Sequence, residues 1–359
     1  MKPLVLVMAG GTGGHVFPAL AVADVLRQRQ VDIAWLGSEH GIENRLVPAA
    51  GYPLYQLAVR GVRGGGWRRR LVAPFMLLGS VLAAWRIIRQ LRPVVAIGFG
   101  GYASGPGGIA ARLAGVPLII HEQNARPGMT NRVLAPLAAQ VLQGFPGAFS
   151  KAITSGNPVR SVITELAAPA ERYGSRTGAL RILITGGSQG ALALNTLLPA
   201  ALSEALQDVD FEVRHQTGKG RTDEAAQAWQ QLPATAQGRV ELSEFIDDMA
   251  AAFGWADLVI CRSGASTVSE IAAAGVAALL IPLPSAVDDH QSYNARWLAD
   301  EDAALLLPQN NLTADSLRSR LAVLADRTAL MQMAECARAM ALPNSAVVVA
   351  DICQEVANG

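Results

Sequence analysis

Residues 3–26, PLVLVMAGGTGGHVFPALAVADVL, and residues 180–202, LRILITGGSQGALALNTLLPAAL, follow one plan: a short apolar run, a glycine-rich turn, then a longer apolar run. A run apolar at every position lacks the alternation of a sheet with one wet face, so it reads as a strand covered on both sides by helices. Similar runs recur at 32–37, 53–59, 94–100, 117–124 and 140–145, and again at 211–218, 239–246, 257–264, 277–284 and 304–308, with helical stretches between them. Strands of this kind alternating with helices call for parallel sheets. The expectation is an α/β chain of two doubly wound, Rossmann-like parallel-sheet domains facing a cleft. The break lies at GNPVRSVITELAAPAERYGSRTGA, residues 156–179, rich in Pro, Gly, Ser and charge. We therefore expect an N-terminal domain over 1–160, a linker over 161–179 and a second domain over 180–340. A C-terminal helix over 341–359 is expected to return to the first domain.

Hydrophobic residues make up 51% of the chain and charged ones 16%, which excludes disorder. A net charge of +1 does not suit a nucleic-acid binder, so any anionic partner must be met locally. Cys261, Cys336 and Cys353 are far apart and form no CxxC, which argues for a reducing compartment and against a disulfide framework or zinc site. The apolar run near the N-terminus flows into a glycine turn rather than a cleavage site, and we read it as the first strand.

One segment leaves the soluble pattern. WRRRLVAPFMLLGSVLAAWRIIRQLRP, residues 67–93, has fifteen uncharged residues between Arg70 and Arg86, interrupted by Pro74 and Gly79. A spanning helix needs about 18–20. Trp67, Arg68, Arg69, Arg70, Phe75 and Trp85 instead suit a helix lying in the interface of an anionic membrane. A crossover helix packed on the sheet is the alternative, and both hold if the helix is only partly covered.

Three glycine turns fall between a strand and a helix: Gly10–Gly14, Gly98–Gly101 and Gly186–Gly190. Without side chains, backbone N–H groups can approach a phosphate while the helix N-terminus adds partial positive charge. Glycines at strand ends also serve tight packing, but three such turns favour a phosphate ligand. A dinucleotide fingerprint would need a glycine where Val16 stands, and the only Gly-Lys pair, Gly218-Lys219, is followed by Gly220 rather than Ser or Thr. Neither nicotinamide chemistry nor a P-loop ATPase is favoured.

His15 follows the first turn at the start of a helix, where the positive end of the dipole disfavours imidazolium. A neutral imidazole there suits a general base. Hydrogen bonding to a loop carbonyl is the alternative. In CRSGASTVSEIAAAG, residues 261–275, Ser263, Gly264, Ser266 and Thr267 offer hydroxyls and N–H groups, and Glu270 suits the paired hydroxyls of a ribose. Thr267 and Glu270 also stand at capping-box spacing. Asp208-Val209-Asp210 precedes a strand and reads as a solvated turn, so no metal is inferred.

GGTGGHVFPALAVA, GFGGYASGPGGIAA, HEQNARPG, GNPVR, TGGSQGA, EFIDDMAAAFGWADLVICRSGASTVSEIAAAG and DDHQSYNA together resemble, almost end to end, the MurG-type UDP-N-acetylglucosamine transferases of bacterial cell-wall synthesis. The resemblance implies a glycosyltransferase B fold with UDP-GlcNAc held mainly by the second domain. It implies transfer, with inversion, to the 4-hydroxyl of the muramyl sugar of lipid I, an undecaprenyl-linked acceptor, to give lipid II. No cofactor is obligatory, and the enzyme would work peripherally at the cytoplasmic face of the plasma membrane, on its anionic inner surface. By the same resemblance Thr12, Gly13 and Gly14 would lie near the diphosphates, with Asn124 and Arg160 shaping the donor site. Ser188 would hold a phosphate oxygen and Ile246 would meet uracil. Ala265, Ser266, Thr267, Val268, Ser269 and Glu270 would hold phosphate and ribose, and Gln291 the GlcNAc hydroxyls. His290 stands where some members carry a second glutamine. The base would be His15, with Glu122 as a weaker candidate. A non-catalytic sugar-nucleotide binder and an NAD-linked enzyme remain the alternatives.

Overall fold

The computed structural model describes residues 2–59, 67–187, 190–207, 209–233, 239–324 and 326–358, with the backbone alone at 67–73, 287 and 322–324. The chain forms two compact units, Met1–Arg160 with Leu342–Gly359, and Ser161–Ala341.

In the first unit, β1 (Leu4–Met8), β2 (Asp32–Ser38), β3 (Leu54–Leu57), β4 (Val95–Gly98), β5 (Leu118–Glu122), β6 (Gln140–Gln143) and β7 (Ile153–Thr154) form one parallel sheet in the order β3-β2-β1-β4-β5-β6-β7. Successive strand residues face opposite sides. Val5 and Val7 therefore pack under α1 (Gly13–Gln28) and the C-terminal helix Ser345–Asn358. Leu6 and Met8 pack on the other face with Val81, Ala84 and Ile88 of α3 (Trp67–Leu91), while α2 (Glu43–Ala49) lies in the crossover from β2 to β3. The C-terminal helix is seated by Val349, Ala350 and Cys353 in the core with Val5 and Val7, and by Arg29, whose guanidinium meets Asp351 at 2.6 Å.

In the second unit, β8 (Leu180–Thr185), β9 (Phe211–Gln216), β10 (Val240–Ser243), β11 (Leu258–Cys261), β12 (Ala277–Leu280) and β13 (Leu305–Leu306) form a parallel sheet ordered β10-β9-β8-β11-β12-β13. Ile182, Ile184, Leu258 and Ile260 share a core with Leu194, Leu198 and Leu202 of the helix Leu192–Ala205. The strand order reverses between β1 and β4 in one sheet and between β8 and β11 in the other. Such a reversal sends successive crossovers to opposite sides and opens a crevice at the strands' C-terminal ends.

The stretch 161–179 is not the linker its composition suggests. It forms two short helices, Ser161–Thr164 and Pro169–Gly174, within the second unit. Two of its residues are tied to the unit's core: Arg176 pairs with the fully buried Asp257 at 2.7 Å, and Tyr173 donates its hydroxyl to the Asp257 carbonyl at 2.8 Å. The helix expected within 67–93 runs continuously for 25 residues, through Pro74 and Gly79.

Candidate active site

In the first unit, β1 and β4 run parallel with Met8 beside Gly98, which sets the Gly10–Gly14 and Gly98–Gly101 turns side by side at the sheet's reversal. Gly100 and Gly101 take φ of +94° and +83°, and a methyl group on Gly101 would collide with the Gly10 carbonyl. Only glycine permits both the left-handed backbone and that approach. Ser104 fastens the pair by donating toward the Met8 carbonyl at 2.8 Å and the Gly100 carbonyl at 2.6 Å.

Thr12 is the residue before α1, and its side chain does not cap the helix. The N–H groups of His15 and Val16 turn back to the Thr12 carbonyl, so the first turn presents the Gly13 and Gly14 amides outward. Beneath the turn lies a residue that sequence reasoning missed. The carboxylate of Glu43, fully buried, accepts from the Gly11 N–H at 2.9 Å, the Ser38 N–H at 2.9 Å and the Ser38 hydroxyl at 2.6 Å. A side chain on Gly10 or Gly41 would strike that carboxylate. The glycines thus make room for a buried anion that holds the turn as well as for a ligand.

His15 is half-buried, its ring packed so closely on Gly100 that a methyl there would sit 3.0 Å away. Its Nδ1 lies 3.2 Å from Gln123 Oε1. Gln123 Nε2 lies 3.2 Å from Nδ1 of the buried His121, and His121 Nε2 lies 2.9 Å from the Gly156 carbonyl. Burial lowers the His121 pKa to about 4. The HEQN and GNP stretches are further joined by Asn157, which donates to the Gln123 carbonyl at 3.0 Å.

Glu122 does not suit the role of base. One of its carboxylate oxygens accepts from the Asn124 N–H and side-chain amide at 3.0 and 3.1 Å, the other from the Gly128 N–H and Asn131 Nδ2 at 3.0 and 2.8 Å. Four donors fill the four lone-pair sites of a carboxylate, so the geometry makes Glu122 a brace for the 122–131 loop. Asn124 is thereby tied to Glu122, and the Arg160 guanidinium lies over the Phe17 ring at 5.6 Å.

In the second unit the crevice between β8 and β11 is bordered by Gly186 and Gly187 and by the helix Ala265–Ala274. Ser188 lies outside the described residues. The helix begins at Gly264, with no side-chain cap, so Thr267 sits in its first turn and the capping-box alternative falls away. Its N-terminal amides are left available, and the Ser266 hydroxyl oxygen is buried without a hydrogen-bond partner among the described residues. Val268 and Ser269 are buried in the helix, while Thr267 and Glu270 are half-buried.

Ser263, by contrast, is spent on structure: its hydroxyl donates to the Gln291 carbonyl at 2.8 Å. Gln291 Oε1 accepts from the Leu283 N–H at 2.9 Å, which leaves its amide NH₂ to donate elsewhere. The turn before Gln291 holds two consecutive left-handed residues, Asp288 and Asp289, both at φ 54°, ahead of His290 at the helix start. Ile246 is half-buried in the loop after β10. Burial raises the Cys261 thiol to about 12, which removes it as a nucleophile. Among the described residues no group of three or more His, Cys, Asp or Glu is placed to hold a metal ion.

Away from these turns, α3 has two characters. Val81, Ala84 and Ile88 are buried, whereas Phe75 and Leu78 are 75% and 57% exposed, with Met76, Leu77, Leu82 and Trp85 also exposed. The side chains of Trp67, Arg68, Arg69 and Arg70 lie outside the described residues. An apolar groove of about 320 Å³ adjoins this face, lined by Met76, Leu77, Tyr102, Ile109 and Met129 among others. Among the described residues no helix is long and apolar enough to cross a membrane.

Comparison with known proteins assigns both halves. The glycosyltransferase family 28 N-terminal domain matches residues 5–143, and the family's C-terminal domain matches residues 181–349. A UDP-N-acetylglucosamine–N-acetylmuramyl-(pentapeptide) pyrophosphoryl-undecaprenol N-acetylglucosamine transferase of Alcanivorax borkumensis is 59% identical over the full length of both chains. The protein of the same description from Aeromonas hydrophila is 52% identical over 100% of this chain and 98% of its own. The crystal structure of Acinetobacter baumannii MurG superposes with a TM-score of 0.85 at 43% identity, covering 99% of this chain and all of the other. With both family domains in sequence and relatives matched from end to end, the chain belongs to glycosyltransferase family 28, among its MurG-type N-acetylglucosaminyltransferases.

Proposed function

We infer that this chain is an inverting transferase that moves N-acetylglucosamine from UDP-GlcNAc to the 4-hydroxyl of the muramyl sugar of lipid I, forming lipid II. The observation that carries the catalytic assignment is His15 at the opening of α1, held beside two glycine turns whose amides suit a diphosphate. In this reading His15 takes the proton of the acceptor hydroxyl as that oxygen bonds to the anomeric carbon. The bond from that carbon to the UDP oxygen breaks with its electron pair, and one displacement inverts the centre. Thr12, Gly13 and Gly14 cradle the acceptor pyrophosphate.

In the second unit, the start of the helix Ala265–Ala274 and the Ser266 hydroxyl receive the donor diphosphate, whose charge grows as UDP departs. Glu270 accepts from the ribose hydroxyls, Ile246 meets uracil and the Gln291 amide donates to the sugar. Asn124 and Arg160 shape the donor side of the first unit. End-to-end identity to named transferases favours this reading over a non-catalytic sugar-nucleotide binder or an NAD-linked enzyme.

We further propose peripheral attachment to the inner membrane surface through the exposed apolar side of α3, where Phe75 and Leu78 would enter the lipid interface. The test of function is incubation with UDP-GlcNAc and a lipid I analogue, with mass detection of the disaccharide product. His15→Ala should lower kcat by about a hundredfold or more while UDP still binds. Unchanged turnover would remove His15 as the base.

A further inference from the structure

We propose that Gln123 is a positioning residue that fixes which nitrogen of His15 carries the proton, and that His121 in turn fixes Gln123. The consequence for catalysis rests on the reading of His15 as base. The assignment itself follows from the direction of the hydrogen bonds.

A backbone carbonyl can only accept, so His121 Nε2, 2.9 Å from the Gly156 oxygen, carries a proton. The ring is wholly buried and stacked on Phe99 with centroids 5.4 Å apart, an environment that keeps it neutral. Its Nδ1 is therefore a bare acceptor. The group facing it at 3.2 Å must be the NH₂ end of the Gln123 amide, which is also 3.2 Å from the His121 carbonyl. The oxygen end of Gln123 then faces His15 Nδ1 at 3.2 Å, and that nitrogen must be N–H. A neutral imidazole holds one proton, so the lone pair of His15 is placed on Nε2. A carboxamide suits this task because one end donates and the other accepts, passing the tautomer of one ring to the next.

The surroundings hold the relay still. Asn157 anchors the Gln123 carbonyl at 3.0 Å, and Gly156 takes a left-handed φ of +77°. A methyl on Gly156 would strike Leu342 and Ser345, so the carbonyl that starts the chain of assignments is clamped by the C-terminal segment of the same unit. Gly100 in turn lies close against the His15 ring. Three bonds across four residues thus orient a ring that would otherwise exchange tautomers freely.

Two-bond ¹H–¹⁵N correlation spectra of the imidazoles in the intact enzyme read the tautomer directly, with His15 identified by the signal lost in His15→Gln. The proposal expects His15 protonated on Nδ1 with a bare Nε2, and the reverse pattern would overturn it. In turnover, Gln123→Met, of similar length and without hydrogen-bonding atoms, should lower kcat about tenfold and leave the KM for UDP-GlcNAc within about twofold. Gln123→Glu, which keeps an acceptor toward His15, should recover most of that loss. Full kcat in Gln123→Met would overturn the positioning role. If that variant fails to fold, the spectra of the wild-type enzyme still decide. Full activity of His15→Ala sinks the base reading, whereas Nε2–H on His15 sinks the relay, so the two failures are told apart.

Discussion

Lowering the pH from 8 to 5 should weaken the second unit in a way that one side chain dictates. His215 sits in the core of that unit, 3.1 Å from Asn195 Oδ1 through Nε2 and 3.2 Å from the Trp229 indole N–H through Nδ1. An amide oxygen requires a proton on Nε2 and an indole N–H requires a lone pair on Nδ1, so only the neutral ring satisfies both. Protonation would set two donors face to face in a buried site. Burial holds the folded pKa at about 4, against 6.5 in the unfolded chain. The unfolded state therefore binds the proton first, and the contribution to stability, complete above pH 6.5, is lost as the pH falls from 6.5 toward 4. At pH 5 the loss comes to roughly 2 kcal/mol, about thirtyfold in the folding equilibrium. Hydrogen exchange of the 180–185 and 211–216 peptides, corrected for intrinsic rates, measures it. Wild type should lose about 2 kcal/mol more between pH 8 and pH 5 than His215→Gln, whose side chain does not titrate. A difference under about 0.5 kcal/mol would show that the folded unit accepts the charge and would refute the reasoning.

Two further outcomes follow from the first unit. Glu43→Gln replaces an anion that accepts three hydrogen bonds with an amide that must turn its NH₂ toward Gly11 or Ser38, a cost of about 2–3 kcal/mol. Calorimetry should find that unit's transition lower by about 5–10 °C, and a shift under about 2 °C would contradict the bracing role. Phe75→Ser with Leu78→Ser should cut sedimentation with anionic liposomes several-fold while leaving the melting temperature in place, since both side chains are exposed. Undiminished sedimentation would move the membrane contact elsewhere.

Much of this architecture is legible in the chain because it depends on local chemistry. Uniformly apolar runs state that a strand is covered on both faces, and glycines at their ends state that something approaches the backbone closely. The parallel sheets, Gly10–Gly14, Gly98–Gly101 and the position of His15 at a helix start follow from adjacent residues alone. Reading 161–179 as a linker fails because exposed and buried arginines look alike in sequence, and only the fold supplies Asp257 to Arg176. The N-cap of the helix Ala265–Ala274 at Gly264 was likewise hidden behind a capping pattern three residues too late.

What only the tertiary structure decides is which polar groups meet. Gln123 reaches His15 across 108 residues, and Glu43 reaches Gly11 across 32. Both meetings depend on strand order and register, with β4 and β2 flanking β1 and β5 beside β4, so that separate turns arrive at one sheet edge. Sequence periodicity fixes which face of its own strand a residue occupies but not which strand lies next door. The glycine turns are therefore written locally, whereas the orientation of the His15 ring beside them is set by long-range hydrogen bonds that exist only once the sheet has formed.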